Sequence, residues 1–363
     1  MGFPALIRRP TFGSAESANR VDQRAELLLG ALACLVLALI AGMIIFVFQK
    51  AWPSFAHNGL AWFGPGGNVD DQQVNIFNSP ADPSDYVYTL HAWPLIWVTA
   101  LVTFWSVAIG IVIATLSAIF IVEFAPGWIR RVLEPVVRLL AAVPSVIYGL
   151  IGILVIVPFV LDHLISAGAK DSVAYVVQLD GTSVGVGILI LTVMITPIMI
   201  AIVVDALRAV PTSWTEGAAA LGVNRFRVMW TISVRAVRPA IVAAAVLATA
   251  RALGEAIMLS MVTGAVGFSP NPLDGLLFFL EPGRPLAAQI VSNAEGLSVV
   301  PFGQTTYAFA AILLVSAAFF SFAGWYVRRM LRREGMTPGA VPGGGAPLAP
   351  GVPVNPAVPG GVG

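Results

Sequence analysis

Residues 27–48 read LLLGALACLVLALIAGMIIFVF, 22 positions without a single charge. The hydrocarbon core of a bilayer is about 30 Å thick and takes roughly 20 apolar helical residues to cross. The stretch is long for a signal-peptide core, and no obvious small-residue cleavage site precedes Lys50, so it is expected to stay as a membrane helix. Five further stretches pass the same test, at 93–122, 132–160, 184–207, 239–262 and 305–327. Pro144 and Pro158 interrupt the third and Pro197 the fourth. Inside a bundle, neighbouring helices and Ser/Thr hydroxyls satisfy the backbone groups that a proline frees. Composition agrees: 58% of the 363 residues are hydrophobic and 11% charged, with a mean hydropathy of +0.87. A soluble domain carries about a quarter charged residues. The expected fold is an all-α integral membrane protein with six transmembrane helices.

Positive charge sets the orientation, because Lys and Arg stay with cytoplasmic loops. Sixteen of the 20 basic residues fall in four segments. These are the N-terminus (Arg8, Arg9, Arg20, Arg24), the turn into span three (Arg130, Arg131, Arg138), the loop before span five (Arg208, Arg225, Arg227, Arg235, Arg238) and the end of span six (Arg328, Arg329, Arg332, Arg333). The alternate loops hold only Lys50, Lys170 and Arg284, among acids that include Asp70, Asp71, Asp82, Asp85, Asp180 and Glu295. Both termini are therefore expected in the cytoplasm. Trp52, Trp93 and Trp97 mark the outer boundary, and Trp128 and Trp325 the inner one. The organisation that follows is a cytoplasmic segment at 1–26, the first helix at 27–48, and an extracytoplasmic loop at 49–92 able to fold over the external face. A five-helix core at 93–329 carries a cytoplasmic loop at 208–238. The tail at 335–363 has nine glycines and seven prolines, and is expected to be disordered.

Several chemistries have no residues to perform them. Cys34 is alone, in an apolar run, so neither an internal disulfide nor a multi-cysteine metal site is available. His57, His91 and His163 form no paired motif and read as loop and interface residues. There is no G-x-x-x-x-G-K-[ST] run and no H-E-x-x-H. No catalytic residue, metal or bound cofactor is expected, and nothing argues for a membrane enzyme.

The loop between spans four and five differs from the others. From Pro211 it reads PTSWTEGAAALGVNRFRVMW. Thr212 or Ser213 is placed to cap a helix, with Glu216 in its first turn. Ala218, Ala219 and Ala220 favour helix without adding bulk, and Gly222 ends or bends it. Read from composition alone, such a helix either seats in a groove of another protein or lies on the lipid surface. Glu216, Ala218, Gly222 and Ile232 resemble the E-A-A, Gly, I-x-L-P loop of bacterial ABC-importer permeases, at the family's spacing and ahead of the penultimate span. Gly217 replaces the second motif residue and Arg235 the motif proline, with a proline only at Pro239. The resemblance implies a type I importer-like permease in which Glu216, Gly217, Ala218, Ala219 and Gly222 couple to a cytoplasmic ATPase.

Arg251 and Glu255 are the clearest pair of charges inside a span. An ionised group at the bilayer centre costs at least about 2.5–3.5 kcal/mol on insertion scales and faces a bundle interior or a wet cavity. Spaced i to i+4, the two are expected to share a helix face and to pair. They read either as a structural ion pair or as a gate or anion contact, since the arginine fork suits an oxyanion. Gly254 leaves room for a neighbouring helix. Residues 251–255, RALGE, resemble the R-x-L-G-E segment of oxyanion permeases. Residues 143–150, VPSVIYGL, resemble a run of phosphate permeases, with Pro144 and Gly149 able to break the helix and Ser145 and Tyr148 carrying hydroxyls toward the path. From about His91 to Arg329 the chain is similar to the phosphate-importer permease family, on its PstC-type side, with the sister PstA type the close alternative. The resemblance implies a PstA-like partner in a heterodimeric pore, a PstB-like ATPase dimer that binds the ATP and Mg, a phosphate-binding protein on the outer face, and inorganic phosphate as cargo. No nucleic acid is implied. Sulfate or molybdate permeases are the first rival reading and an ATP-independent transporter the second.

Overall fold

The structure, a computed structural model, describes residues 15–165, 168 and 179–333. The expected disordered tail and most of the first 26 residues lie outside these. The described secondary structure is helical: α1 (Ala15–Asn58), α2 (Val69–Phe77), α3 (Trp93–Ile119), α4 (Gly127–Ala142), α5 (Ser145–His163), α6 (Val184–Arg208), α7 (Thr212–Ala220), α8 (Arg225–Leu253), α9 (Ile257–Val262), α10 (Leu286–Ser292) and α11 (Val300–Arg333). Six of them, α1, α3, α5, α6, α8 and α11, are long and apolar enough to cross a membrane.

Two spans differ from their sequence reading. Span three begins at Ser145, not near residue 132. Pro144 disfavours helical backbone at the residue before it, and Val143 is extended (φ −63°, ψ 130°). The segment ahead becomes the separate helix α4, whose Arg130, Arg131, Glu134 and Arg138 are too many charges for a hydrocarbon core. Pro158 stays inside α5, preceded by a π-helical turn at Gly152–Ile156. That wider turn lies where the proline ring meets the carbonyl of Leu154. Span five begins at Arg225 and ends at Leu253, where residues 254–256 break the helix before α9.

The chain divides into two compact units, which are described separately. The first comprises residues 1–103, 145–190 and 253–318. Here the first loop folds into a small apolar core. Trp62, Ile76, Leu90, Leu95, Leu286 and Phe309 are fully or almost fully buried together. The Trp62 indole donates to Ser54 Oγ (3.3 Å) and its ring lies 5.9 Å from that of Phe309. Asn58, at the end of α1, donates to the Tyr88 carbonyl (2.6 Å) and accepts from the Leu90 N–H (3.0 Å), which pins the returning chain. Burial pushes the Tyr88 hydroxyl above its usual range, and it donates to Gln304 Oε1 at 2.6 Å. The C-terminal end of α1 joins this core through Ala51 and Ser54, and Phe46 meets the Tyr307 ring edge-on at 5.7 Å, whereas the residues of its apolar stretch from Leu27 to Phe46 are exposed.

In the second unit, residues 104–144, 191–252 and 319–363, small residues again set helix spacing. A Cβ on Gly110 would lie 2.6 Å from Met199 Cε, and one on Gly324 would strike Val246. Three of the four basic segments fall within this unit. Arg208 pairs with Glu134, Arg138 with Asp205 (3.9 Å) and Arg225 with Glu123 (3.8 Å). Most of these side chains are exposed, so each pair orients more than it stabilises.

Candidate functional site

Residues from both motif runs lie at helix breaks. Pro144 and Ser145 form the start of α5, with Pro144 exposed and Ser145 half-buried. The first N–H groups of any helix lack intrahelical partners and carry the positive end of its dipole. Within the first unit α5 packs on α9 through glycines. A Cβ on Gly149 would sit 3.1 Å from Met258 Cα and 2.9 Å from Met261 Sδ, and one on Gly152 would sit 2.6 Å from Val262 Cγ1. Gly149 opposite Met258 and Gly152 opposite Val262 mean that the two helices run in the same direction. Their starts, at Ser145 and just after Glu255, therefore lie at the same end of the pair. Tyr148 is buried in this wall, at 9% exposure. Gly149, expected to break the helix, lies inside α5 instead, and with Gly152 it makes the close approach to α9.

The expected pairing of Arg251 with Glu255 is not what the structure holds. Spacing of i to i+4 brings side chains together only along an unbroken helix, and α8 stops at Leu253. Glu255 Oε1 instead accepts the Met258 N–H at 3.4 Å, at the start of α9. Neither residue takes part in an ion pair among the described residues. Arg251 is exposed in the last turn of α8, Gly254 is exposed in the turn that follows, and Glu255 is half-buried. A guanidinium without an ion pair on the open surface of a membrane helix needs a wet cavity, a partner or a ligand that the described residues do not supply.

The loop helix α7 holds Glu216, Gly217, Ala218 and Ala219, all exposed except the half-buried Ala218. Nothing lies within 4 Å of where a Gly217 Cβ would be, so the small face is open. The expected side-chain cap is absent. Thr212 is already the first helical residue, after Pro211, and Glu216 lies beyond the first turn. The stop occurs as expected: Gly222 takes a left-handed φ of +75°, and its N–H and that of Val223 close on Ala219 and Ala218. Asn224 Oδ1 then caps the next helix by accepting from the Phe226 N–H (3.0 Å). A cavity of about 370 Å³ lies behind α7, lined by Glu123, Glu216, Ala219, Arg225 and Met229 among others.

Arg225 was counted only as one more loop charge, yet it fastens this region. Its guanidinium bonds the Glu123 carbonyl, pairs with the Glu123 carboxylate and lies 5.9 Å above the Phe124 ring. Arg130 donates to the carbonyls of Ile121 (2.9 Å) and Val122. Three successive carbonyls at the end of span two, orphaned as at any helix C-terminus, are thus taken by arginines from two other elements.

Residues 107–332 match the family described as the binding-protein-dependent transport system inner membrane component. A probable ABC transporter permease protein of Bacillus subtilis is 33% identical over 72% of this chain and 78% of its own length. A phosphate transport system permease protein PstC of Xylella fastidiosa is 31% identical over 66% of this chain and 73% of its own. Among solved structures, a chain of a bacterial alginate ABC transporter, determined with an alginate pentasaccharide-bound periplasmic protein, superimposes with a TM-score of 0.53. That likeness covers 87% of this chain and 98% of the other at 15% identity, and carries the fold. On the match to its core and the identity to these permeases, the chain belongs to the binding-protein-dependent transport system inner membrane component family, as a multi-pass protein of the inner membrane.

Proposed function

We propose that this chain is the permease subunit of an ATP-driven importer of inorganic phosphate. The observation that carries the reading is Arg251, exposed and unpaired in the last turn of a membrane helix beside a helix break. The identity to PstC-type permeases gives the anion its name. In this reading both termini are cytoplasmic. A PstA-like subunit completes the pore and covers the face on which Arg251 is exposed. A PstB-like ATPase dimer receives α7 through Glu216, Gly217, Ala218, Ala219 and Gly222, and carries the ATP and Mg. A phosphate-binding protein delivers the ligand from outside. The chain itself does no covalent chemistry and binds no cofactor. It offers two exposures with different affinity for the anion in each. Arg251, with Ser145 and the start of α5, meets the oxyanion in one of them. Glu255, Gly254, Tyr148 and Pro144 shape the breaks between which the path opens.

The test is ATP-dependent uptake of labelled phosphate into vesicles holding the whole transporter. Arg251→Gln is expected to lower uptake at least tenfold, the scale of losing one charged contact, while the ATPase still co-purifies. Undiminished uptake by the variant would remove Arg251 from the path. Uptake of sulfate or molybdate in place of phosphate by the unmodified protein would replace the cargo and leave the permease reading intact.

A further inference from the structure

A second polar site lies in the first unit, away from the helix breaks. A cleft of about 600 Å³ opens between α2, α10 and the start of α11. Its floor is a one-way chain of hydrogen bonds. Arg284 Nη1 donates to Asp70 Oδ1 and to Gln289 Oε1, both at 2.7 Å. Gln289 Nε2 donates to Asn293 Oδ1 (2.9 Å), Asn293 Nδ2 to Thr306 Oγ1 (3.1 Å), and Thr306 Oγ1 to the Phe302 carbonyl within α11 (3.0 Å). A branch runs from Gln289 Nε2 to Gln73 Oε1 (2.9 Å).

Arginine is a donor and never an acceptor, so it fixes the direction of every link after it. Gln289 must present its oxygen to Arg284 and its nitrogen to Gln73, and Gln73 must then present its oxygen. Reversing the Gln73 amide would set two donors against each other. Its Nε2 is left over, and it is the buried side-chain polar atom without a partner among the described residues. Gln73 is 5% exposed. A buried unused donor calls for an acceptor from elsewhere. The cleft wall adds a second sign of a missing partner. Val74 and Phe77, on a helix of the first loop, are 57% and 46% exposed. The exposed Glu295 stands at the same cleft without an ion pair among the described residues.

We infer that this cleft is the docking socket for the extracytoplasmic ligand-delivery protein, and that it takes a loop of that protein presenting a backbone carbonyl to Gln73, an apolar side chain to Val74 and Phe77, and a lysine or arginine to Glu295. The inference rests on the orientation and partner proposed above. A free phosphate is the wrong occupant, since Asp70 already neutralises Arg284 and Glu295 repels an anion. The family is binding-protein-dependent by description, so a delivery protein belongs to the system, and the cleft lies on the side proposed to face it. The chain of donors that starts at the socket ends inside α11, so an occupant is bonded through to a membrane helix.

The experiment titrates the cell's phosphate-loaded binding protein onto the whole transporter in nanodiscs. Phe77→Arg and Glu295→Lys alter exposed side chains, and each is expected to weaken docking about tenfold or more while ATP hydrolysis without the binding protein is unchanged. Gln73→Met removes the unused donor. It is expected to weaken docking several-fold and to raise the melting temperature, a pairing that loss of fold cannot produce. Unchanged docking by all three variants would overturn the inference, as would loss of the sister subunit on purification of Phe77→Arg, which would make that subunit the occupant. If the unmodified transporter binds a sulfate- or molybdate-binding protein instead, the cargo reading fails and the same variants test the socket against that protein.

Discussion

At Gly152 a hydrogen atom in place of a side chain lets α5 meet its neighbours: an added Cβ would collide with Ile190 and Val262. Gly152→Val is expected to cost about 1–3 kcal/mol through overpacking, read as a lower melting temperature in detergent. Gly217 is the opposite case, with open space where its Cβ would be. Gly217→Ala is expected to leave transport intact and to favour α7 by up to about 1 kcal/mol; a large loss of transport would show that a partner needs the bare backbone there. Both glycines are plain in the sequence, and neither announces its surroundings, because the contacts come from residues far along the chain. The Arg251 and Glu255 pair was misjudged for a related reason. Spacing along the sequence becomes distance only if the helix continues, and it ends between them.

Among the elements, the spans without internal charge were legible from length and hydropathy alone. Span three was placed too early because an apolar tally runs straight through Pro144 and absorbs α4. Helix α4 was thereby missed, though its four charges set it apart. The loop helix was legible in its end, since Gly222 supplies a left-handed residue, but not in its beginning, where Pro211 rather than a hydroxyl precedes it. Its attachment was not legible at all: Arg225 and Glu123 come together only after two spans have folded. Arg225→Ala is expected to loosen the start of α8 from the end of span two and to lower phosphate moved per ATP hydrolysed by roughly two- to fivefold, with assembly unchanged. The estimate follows from losing a charged hydrogen bond at an exposed site, about 0.5–1 kcal/mol. Faster hydrogen exchange across residues 212–228 is the accompanying signature. An unaltered ratio and unaltered exchange would make the contact incidental.

For the whole molecule, charge is divided by loop. The loops proposed to face outward carry ten acids against three bases, so that face repels the anion the transporter is proposed to move. Phosphate arriving free is disfavoured, and arrival inside a carrier with a complementary basic surface is not. Docking of the binding protein is therefore expected to weaken with salt, as surface charges about 10 Å apart are screened near 0.1 M. An affinity indifferent to salt would remove charge from the account. The long first helix has a mechanical counterpart to this. At 44 residues and 1.5 Å each, α1 is about 66 Å long, against a hydrocarbon core of about 30 Å. It is clamped at one end, by the core around Trp62 and the Phe46–Tyr307 contact, and its apolar stretch before Phe46 is exposed. A membrane that thickens or thins can be met by leaning this one rod, which leaves the spacing of the helices around Gly149 and Gly152 undisturbed.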